Sequence, residues 1–265
     1  MTLIEPRRHV AHARRLLTAG VATLLAMAAP AMGAESKKPD IQGVWVSISP
    51  FGVGLPASKL TPAGKKATAE FKETYGPDAP EAGAYCVHSG MPWMMLSSAG
   101  YPLEIIGNDK QINISVETGS IRRIFLDGRP HPTDRPPSSS GHSVGRWEGD
   151  VLVVETTLLA ERVDGRTISD EARIIERIYL KDDTGERRAA FAENFSEEMG
   201  LKRDGKMLVD EITVIDPKFY VEPIKIVGEF RRAPDTAVLE YDCGREFWEA
   251  ALEQKLEEMK QQRKK

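Results

Sequence analysis

From Leu103 onward the chain is a train of short β-rich runs broken by turn residues: "LEIIGN", "QINISVE", "SIRRIFLD", "SVGRW", "VLVVETTL", "ARIIERIYL", "LVDEITVI", "IKIVGEFRR" and "AVLEYDC". Segments this short and this rich in Val, Ile and Thr suit pleated strands, and Asn108-Asp109, Asp127-Gly128, Glu148-Gly149-Asp150 and Asp204-Gly205 supply the turns between them. Strands at this spacing, without helices of crossover length between them, argue for an antiparallel barrel or sandwich. Upstream, "IQGVWVSI" adds a first strand. The expected fold is therefore mainly β: an antiparallel lipocalin-like β-barrel with a short N-terminal helix and a C-terminal helix.

The helices are marked at their starts. Thr61-Pro62 offers an N-cap and a first-turn proline ahead of "AGKKATAEFKETY". The stretch "CVHSGMPWMMLSSAGYP" is weak in period and reads as an irregular cover over the barrel, its Met-rich part a candidate lid. Residues 182–206 read as a strand with a helical or mobile insertion. The end of the chain, "EFWEAALEQKLEEMKQQRKK", has helix formers whose apolar stripe fades after Leu256. The domain plan is a leader over residues 1–34, a single barrel over 35–245 and a charged helical tail over 246–265.

The leader follows from its own pattern. Arg7, Arg8, Arg14 and Arg15 precede the apolar run Leu16–Ala29 and the small-residue stretch "APAMGA", which is the layout of a secretory signal peptide. The apolar run falls short of the roughly 20 residues a spanning helix needs. Periplasmic or secreted localisation is expected, and Arg14-Arg15 fits the general export route better than a twin-arginine one. Loss of residues 1–34 removes four Arg and one Glu and takes the formal charge from −4 to −7. An acidic exported protein is poorly suited to nucleic acid or to anionic membrane surfaces. Cys86 and Cys243 are the two cysteines; in an oxidising compartment such a pair reads as a disulfide, with two buried thiols as the alternative. A bridge there would close a long loop and contribute at most roughly 5 kcal/mol.

Chemistry concentrates between Arg122 and Thr157. In "GHSVGRWEGDVLVVETT" the residues Glu148-Gly149-Asp150 read as a three-residue hairpin loop, and Trp147 would pin the register of the pair. Period-two geometry places His142, Val144 and Arg146 on one face and Ser143, Gly145 and Trp147 on the other. Upstream, "RRIFLDGRPHPTDRPP" brings Arg123, Asp127, Arg129, His131 and Asp134 to a proline-stiffened loop, where exposed charge and chemistry are equally ordinary.

Together these stretches resemble a large family of exported bacterial proteins of uncharacterised function, which share a D-G-R-x-H turn and a G-H-S-x-G-R-W-E-G-D-x-L-V-V core. "YCVHSGMPWMM", "YPLEIIG", "ITVIDPKFYVEPI" and "LEYDCGRE" extend the resemblance over residues 40–247. It implies export and this architecture, and it matches Cys86 and Cys243 to the family's two cysteines. This chain departs at Ile215, Val221 and Ile224, where the family has Asp, Thr and Trp, and "CGRE" lacks the usual E-N ending. A changed corner around Tyr220 implies a different ligand.

Other chemistries are disfavoured. His88, His131 and His142 are the histidines outside the leader, and none forms H-x-H, H-x-x-x-H or a Cys/His cluster, so no metal is expected. Gly141–Gly145 matches G-x-S-x-G literally, yet a nucleophile elbow needs a strand-to-helix turn, whereas a β-hairpin follows Ser143. Phosphate-loop and dinucleotide patterns are missing, so no cofactor is expected. Two functions fit a barrel with an apolar cavity and a few polar groups. One is a cofactor-free lyase, isomerase or hydrolase for a small hydrophobic or aromatic compound, with His142 or His131 as base, Asp127 or Glu104 orienting it, and Arg123 or Arg146 holding an anionic group, lined by Trp147, Trp93 and Tyr220. The other is a lipocalin-like binder using the same groups; a platform that recruits a partner protein through the C-terminal helix is a third.

Overall fold

The structure, a computed structural model, describes residues 38–48, 55, 59–75, 90–96, 101–117, 120–163, 167–184, 205–239 and 253–255. Nine strands close into one barrel in sequence order. They are β1 (Gly43–Ser47), β2 (Pro102–Gly107), β3 (Gln111–Val116), β4 (Ser120–Phe125), β5 (His142–Glu148), β6 (Val151–Thr157), β7 (Arg173–Asp182), β8 (Lys206–Ile215) and β9 (Ile224–Arg232). Among the described residues, α1 (Pro62–Tyr75) and α2 (Trp93–Leu96) accompany them, and residues 253–255 in the tail are helical.

The expectation of a purely antiparallel barrel is corrected by arithmetic of direction. Strands that alternate around a closed ring must be even in number, so a ring of nine requires a parallel neighbour pair. That pair is β4–β5, while the other eight pairings, including the closing β1–β9, are antiparallel. A parallel step cannot be made by a tight hairpin, and the chain makes it with the crossover 126–141. The ladder there is short: only Ile124–Ser143 and Phe125–Val144 are in register, against seven pairs between β5 and β6. The seam between β4 and β5 is the place where backbone hydrogen bonding holds the barrel least.

Local sequence explains the rest. Register pairs Glu148 with Val151, so the β5–β6 loop is the two residues Gly149-Asp150 rather than three, and Gly149 takes φ +60°, the sign a type II′ turn requires at its first position. Thr61 caps α1 by accepting the Gly64 N–H on its hydroxyl at 3.2 Å. The stretch expected to be irregular contains α2, whose Trp93, Met94, Met95 and Leu96 are all buried in the core with the inward residues of the strands. Gly228 of β9 makes room for it, because a Cβ there would lie 3.0 Å from the Met95 carbonyl oxygen. Residues 237–239, expected to be part of a last strand, lie outside any strand, with Leu239 exposed. The leader, Cys86, His88, Cys243, most of the insertion after Asp182 and most of the C-terminal tail lie outside the described residues.

Besides the buried pairs Arg231–Asp183 and Ser169–Asp216, one polar arc crosses the otherwise apolar core. Arg122 of β4 reaches across the interior, donating Nε–H to Ser143 Oγ of β5 (3.0 Å), Nη2–H to Thr156 Oγ1 of β6 (2.8 Å) and Nη1–H to Glu176 Oε1 of β7 (2.7 Å), with a second bond to Glu176 Oε2. The Ser143 and Thr156 hydroxyls also bond each other at 2.8 Å. Arg122 and Glu176 are 1% and 0% exposed, so this bidentate pair is fully withdrawn from water. Asp210 of β8 continues the arc; it too is 0% exposed, and neither of its carboxylate oxygens has a hydrogen-bond partner. Burial, reinforced by the Glu176 charge, pushes the Asp210 carboxyl well above the usual carboxylate range and so favours its protonated form.

Two outcomes follow. Glu176→Gln leaves Arg122 buried without its counter-charge and is expected to cost about 3–5 kcal/mol in chemical denaturation; a loss below about 1 kcal/mol would mean that the pair is not the clamp described. Asp210 takes up a proton on folding, since the unfolded chain ionises it above about pH 4. Stability contributed at low pH is therefore lost as pH rises above about 4 towards the raised folded value. Asp210→Asn should flatten that decline, so that its stability relative to the parent improves from pH 4 to pH 7 in paired urea melts.

Candidate functional site

The outer face of the same seam carries a cavity of about 350 Å³. Its floor is the outward stripe of β4, Ile121, Arg123 and Phe125, together with His142 at the start of β5; Arg135, Ser138–Ser140 and Gly141 of the crossover complete it. Alternation produces this division, since Arg122, Ile124 and Ser143 point inward and their sequence neighbours must point out. The crossover is pinned where it borders the cavity. Ser138 donates its N–H to the Leu158 carbonyl, Ala160 donates to Ser138 and Met91 donates to Ser139. Gly141 then turns the chain into β5 at φ +65°, and a Cβ there would lie 2.6 Å from the Thr157 carbonyl oxygen.

His142 is 8% exposed because two rings cover it. Phe125 stacks on it with centroids 5.2 Å apart, and His131 meets it edge-on, the two Nδ1 atoms 2.8 Å apart and sharing one proton. Arg129 lies over the other side of this cluster, 3.9 Å from the Phe125 centroid, and is tied to Asp127 by bonds of 2.8 and 2.5 Å. Burial is the first cause that lowers the His142 pKa, and the charges of His131, Arg135 and Arg129 act in the same direction. The shift favours the neutral imidazole, whose Nδ1 is held by His131.

The remaining residues singled out from sequence fall elsewhere. Asp127 is exposed at the D-G-R turn, where Arg129 holds its carboxyl down at about 2. Glu104 lies on β2, opposite Ser115 and Val44 in register, on the face away from Leu103 and Ile105. Arg146 points outward beyond the cavity and pairs with Glu148 at 2.5 Å. Trp147 is on the inner face of β5, half-buried against the core, and Trp93 is buried within α2. Tyr220 is buried and donates to the Thr167 carbonyl at 2.8 Å, burial pushing its pKa up. Of the named set, His142 and Arg123 line the cavity, His131 touches His142 from outside that lining, and Ser143, with its hydroxyl committed inside the barrel, is turned away from it. Arg135 and Ser138–Ser140 were not anticipated; a serine run between prolines and Gly141 is their only trace in the sequence.

Among the described residues no group of three His, Cys, Asp or Glu side chains is placed to hold a metal ion, and no helix is long and apolar enough to cross a membrane. Comparison of the chain with protein-family models, with curated proteins and with solved structures returned no match. The site is thus defined by its own chemistry: a neutral, oriented imidazole beside arginine, hydroxyl groups and an apolar wall.

Removing the neighbouring ring tests this description. His131→Ala takes away both a positive neighbour and part of the cover over His142, so the His142 titration followed by NMR should move upward, towards the ordinary histidine value. An unchanged or lower midpoint would show that His131 does not shape this imidazole.

Proposed function

We propose that this chain is a small-molecule pocket protein for a compound with a hydrophobic or aromatic body, exported through the leader in residues 1–34. The observation that carries the reading is the cavity beneath the crossover, where the Ile121 and Phe125 side chains form an apolar wall next to the fixed His142 imidazole. A volume of about 350 Å³ falls within the range of small-ligand sites. The likeness to lipocalins in this proposal is one of plan, a closed barrel serving one ligand; the pocket used is on the outer wall under the crossover, and α2 is packed into the core. Membership of the exported family with the D-G-R-x-H turn, and a Cys86–Cys243 bridge, belong to the same proposal. Thiol labelling before and after reduction of protein recovered from the periplasm tests the bridge: protection before reduction is expected, and free labelling of both cysteines would refute it.

A second reading is favoured by one specific observation, the Nδ1–Nδ1 bond between His131 and His142. A buried neutral imidazole oriented by a second ring is suited to general-base work, so the pocket would serve a cofactor-free lyase, isomerase or hydrolase. His142→Gln separates the two readings. If the protein binds only, the variant alters affinity and no product is formed by either form. If it is an enzyme, turnover falls by about two to four powers of ten while ligand retention in native mass spectrometry persists. Failure to retain any apolar small molecule from the host extract, by parent and variant alike, would overturn the pocket reading.

A further inference from the structure

The charges around the cavity say what kind of polar end its ligand carries. This chain has more acidic than basic residues, 40 against 36, so a surface arginine has carboxylates within easy reach. Several take them: Arg129 pairs with Asp127, Arg146 and Arg177 share Glu148, and Arg173 meets Glu155. Arg123 and Arg135 do not. Neither makes a hydrogen bond or ion pair with any described residue, and both line the same cavity. The hydroxyls of Ser138, Ser139 and Ser140, which line the same cavity, likewise have no partner among the described residues. The carboxylates nearest in sequence do not offset this charge. Asp127 is occupied by Arg129, and Asp134 is exposed and outside the cavity lining. Two guanidinium groups and three hydroxyls without partners among the described residues therefore line one cavity together with His142, Ile121 and Phe125.

We propose that this cavity is an oxyanion site, in which Arg123 and Arg135 hold the carboxylate or phosphate of an amphiphilic ligand whose apolar body lies against Ile121 and Phe125. The inference rests on the pocket reading above and narrows its ligand to an organic anion. A guanidinium fork matches the paired oxygens of either group, and the serine hydroxyls donate to the oxygens the arginines leave free. Arg135 is carried on the crossover and Arg123 on β4, so the anion would also tie the roof of the cavity to its floor.

Calorimetric titration of the mature full chain with 3-phenylpropanoate, phenyl phosphate, the neutral 3-phenylpropanamide and inorganic phosphate tests this. The organic anions are expected to bind at least about tenfold more tightly than the amide at low salt, with the advantage shrinking as salt is raised. Arg123→Gln and Arg135→Gln should each remove most of that advantage, whereas Arg146→Gln, already committed to Glu148, should leave it unchanged. A preference for phenyl phosphate or for the propanoate identifies the headgroup, and either supports the site. Equal binding of anion and amide would overturn the oxyanion assignment and leave the pocket standing. Inorganic phosphate binding as well as phenyl phosphate would overturn the role of the apolar wall. Binding of none of the four would overturn both the assignment and the pocket.

Discussion

The β4–β5 seam of the barrel depends on the buried Arg122–Glu176 ion pair. Where β4 meets β5 the backbone ladder has two register pairs, and the seam is closed instead by Arg122, which reaches from β4 past β5 and β6 to Glu176 on β7. An apolar side chain at 122 would fill space but would join nothing, since only a forked donor can engage three strands at once. The pair is costly to bury, and in many proteins well-packed apolar residues would serve stability as well. Here it replaces hydrogen bonds that a parallel step of two residues cannot make, which gives a specific reason for retaining it. Burial and the Glu176 charge push Asp210 towards its protonated form, which limits the negative charge the arc has to hold opposite Arg122.

The outer wall depends on the same seam. Every residue of β4 and β5 that is turned inward to seal the barrel forces its neighbour outward, so Arg122 and Ser143 on the inside specify Arg123 and His142 on the outside. The crossover that the parallel step demands then has to lie over that outward stripe, and a cavity forms between loop and strand. Pocket and clamp are two faces of one topological necessity.

Much of this was legible in the sequence. Strand segments, the α1 cap and the alternation of His142, Val144 and Arg146 against Ser143, Gly145 and Trp147 follow from local periods, which backbone geometry obeys wherever it is found. The parallel pair was not legible, because nothing in "RRIFLDGRPHPTDRPPSSSGHSVGRW" states in which direction the second strand returns; direction is fixed by closure of a ring whose strand count is a property of the whole chain. The polar arc had a signal that composition hides. Glu176 stands between Ile174 and Ile178, and Asp210 between Leu208 and Ile212, each a carboxylate on an otherwise apolar face, and a period-two reading flags both. Conversely Trp93 and Tyr220, attractive as pocket aromatics, are core residues, because large rings serve packing as readily as recognition.

The unequal ladders on the two sides of β5 have a consequence for how such a protein can change. Seven register pairs fix β5 to β6, and only two join it to β4, so the position of β5 is set from downstream of the crossover. Residues between Asp127 and Arg135 can therefore be lengthened, shortened or exchanged without slipping any strand, so long as the anchor at Ser138–Gly141 is kept. The roof of the cavity can therefore change its length and side chains while the barrel beneath keeps its register.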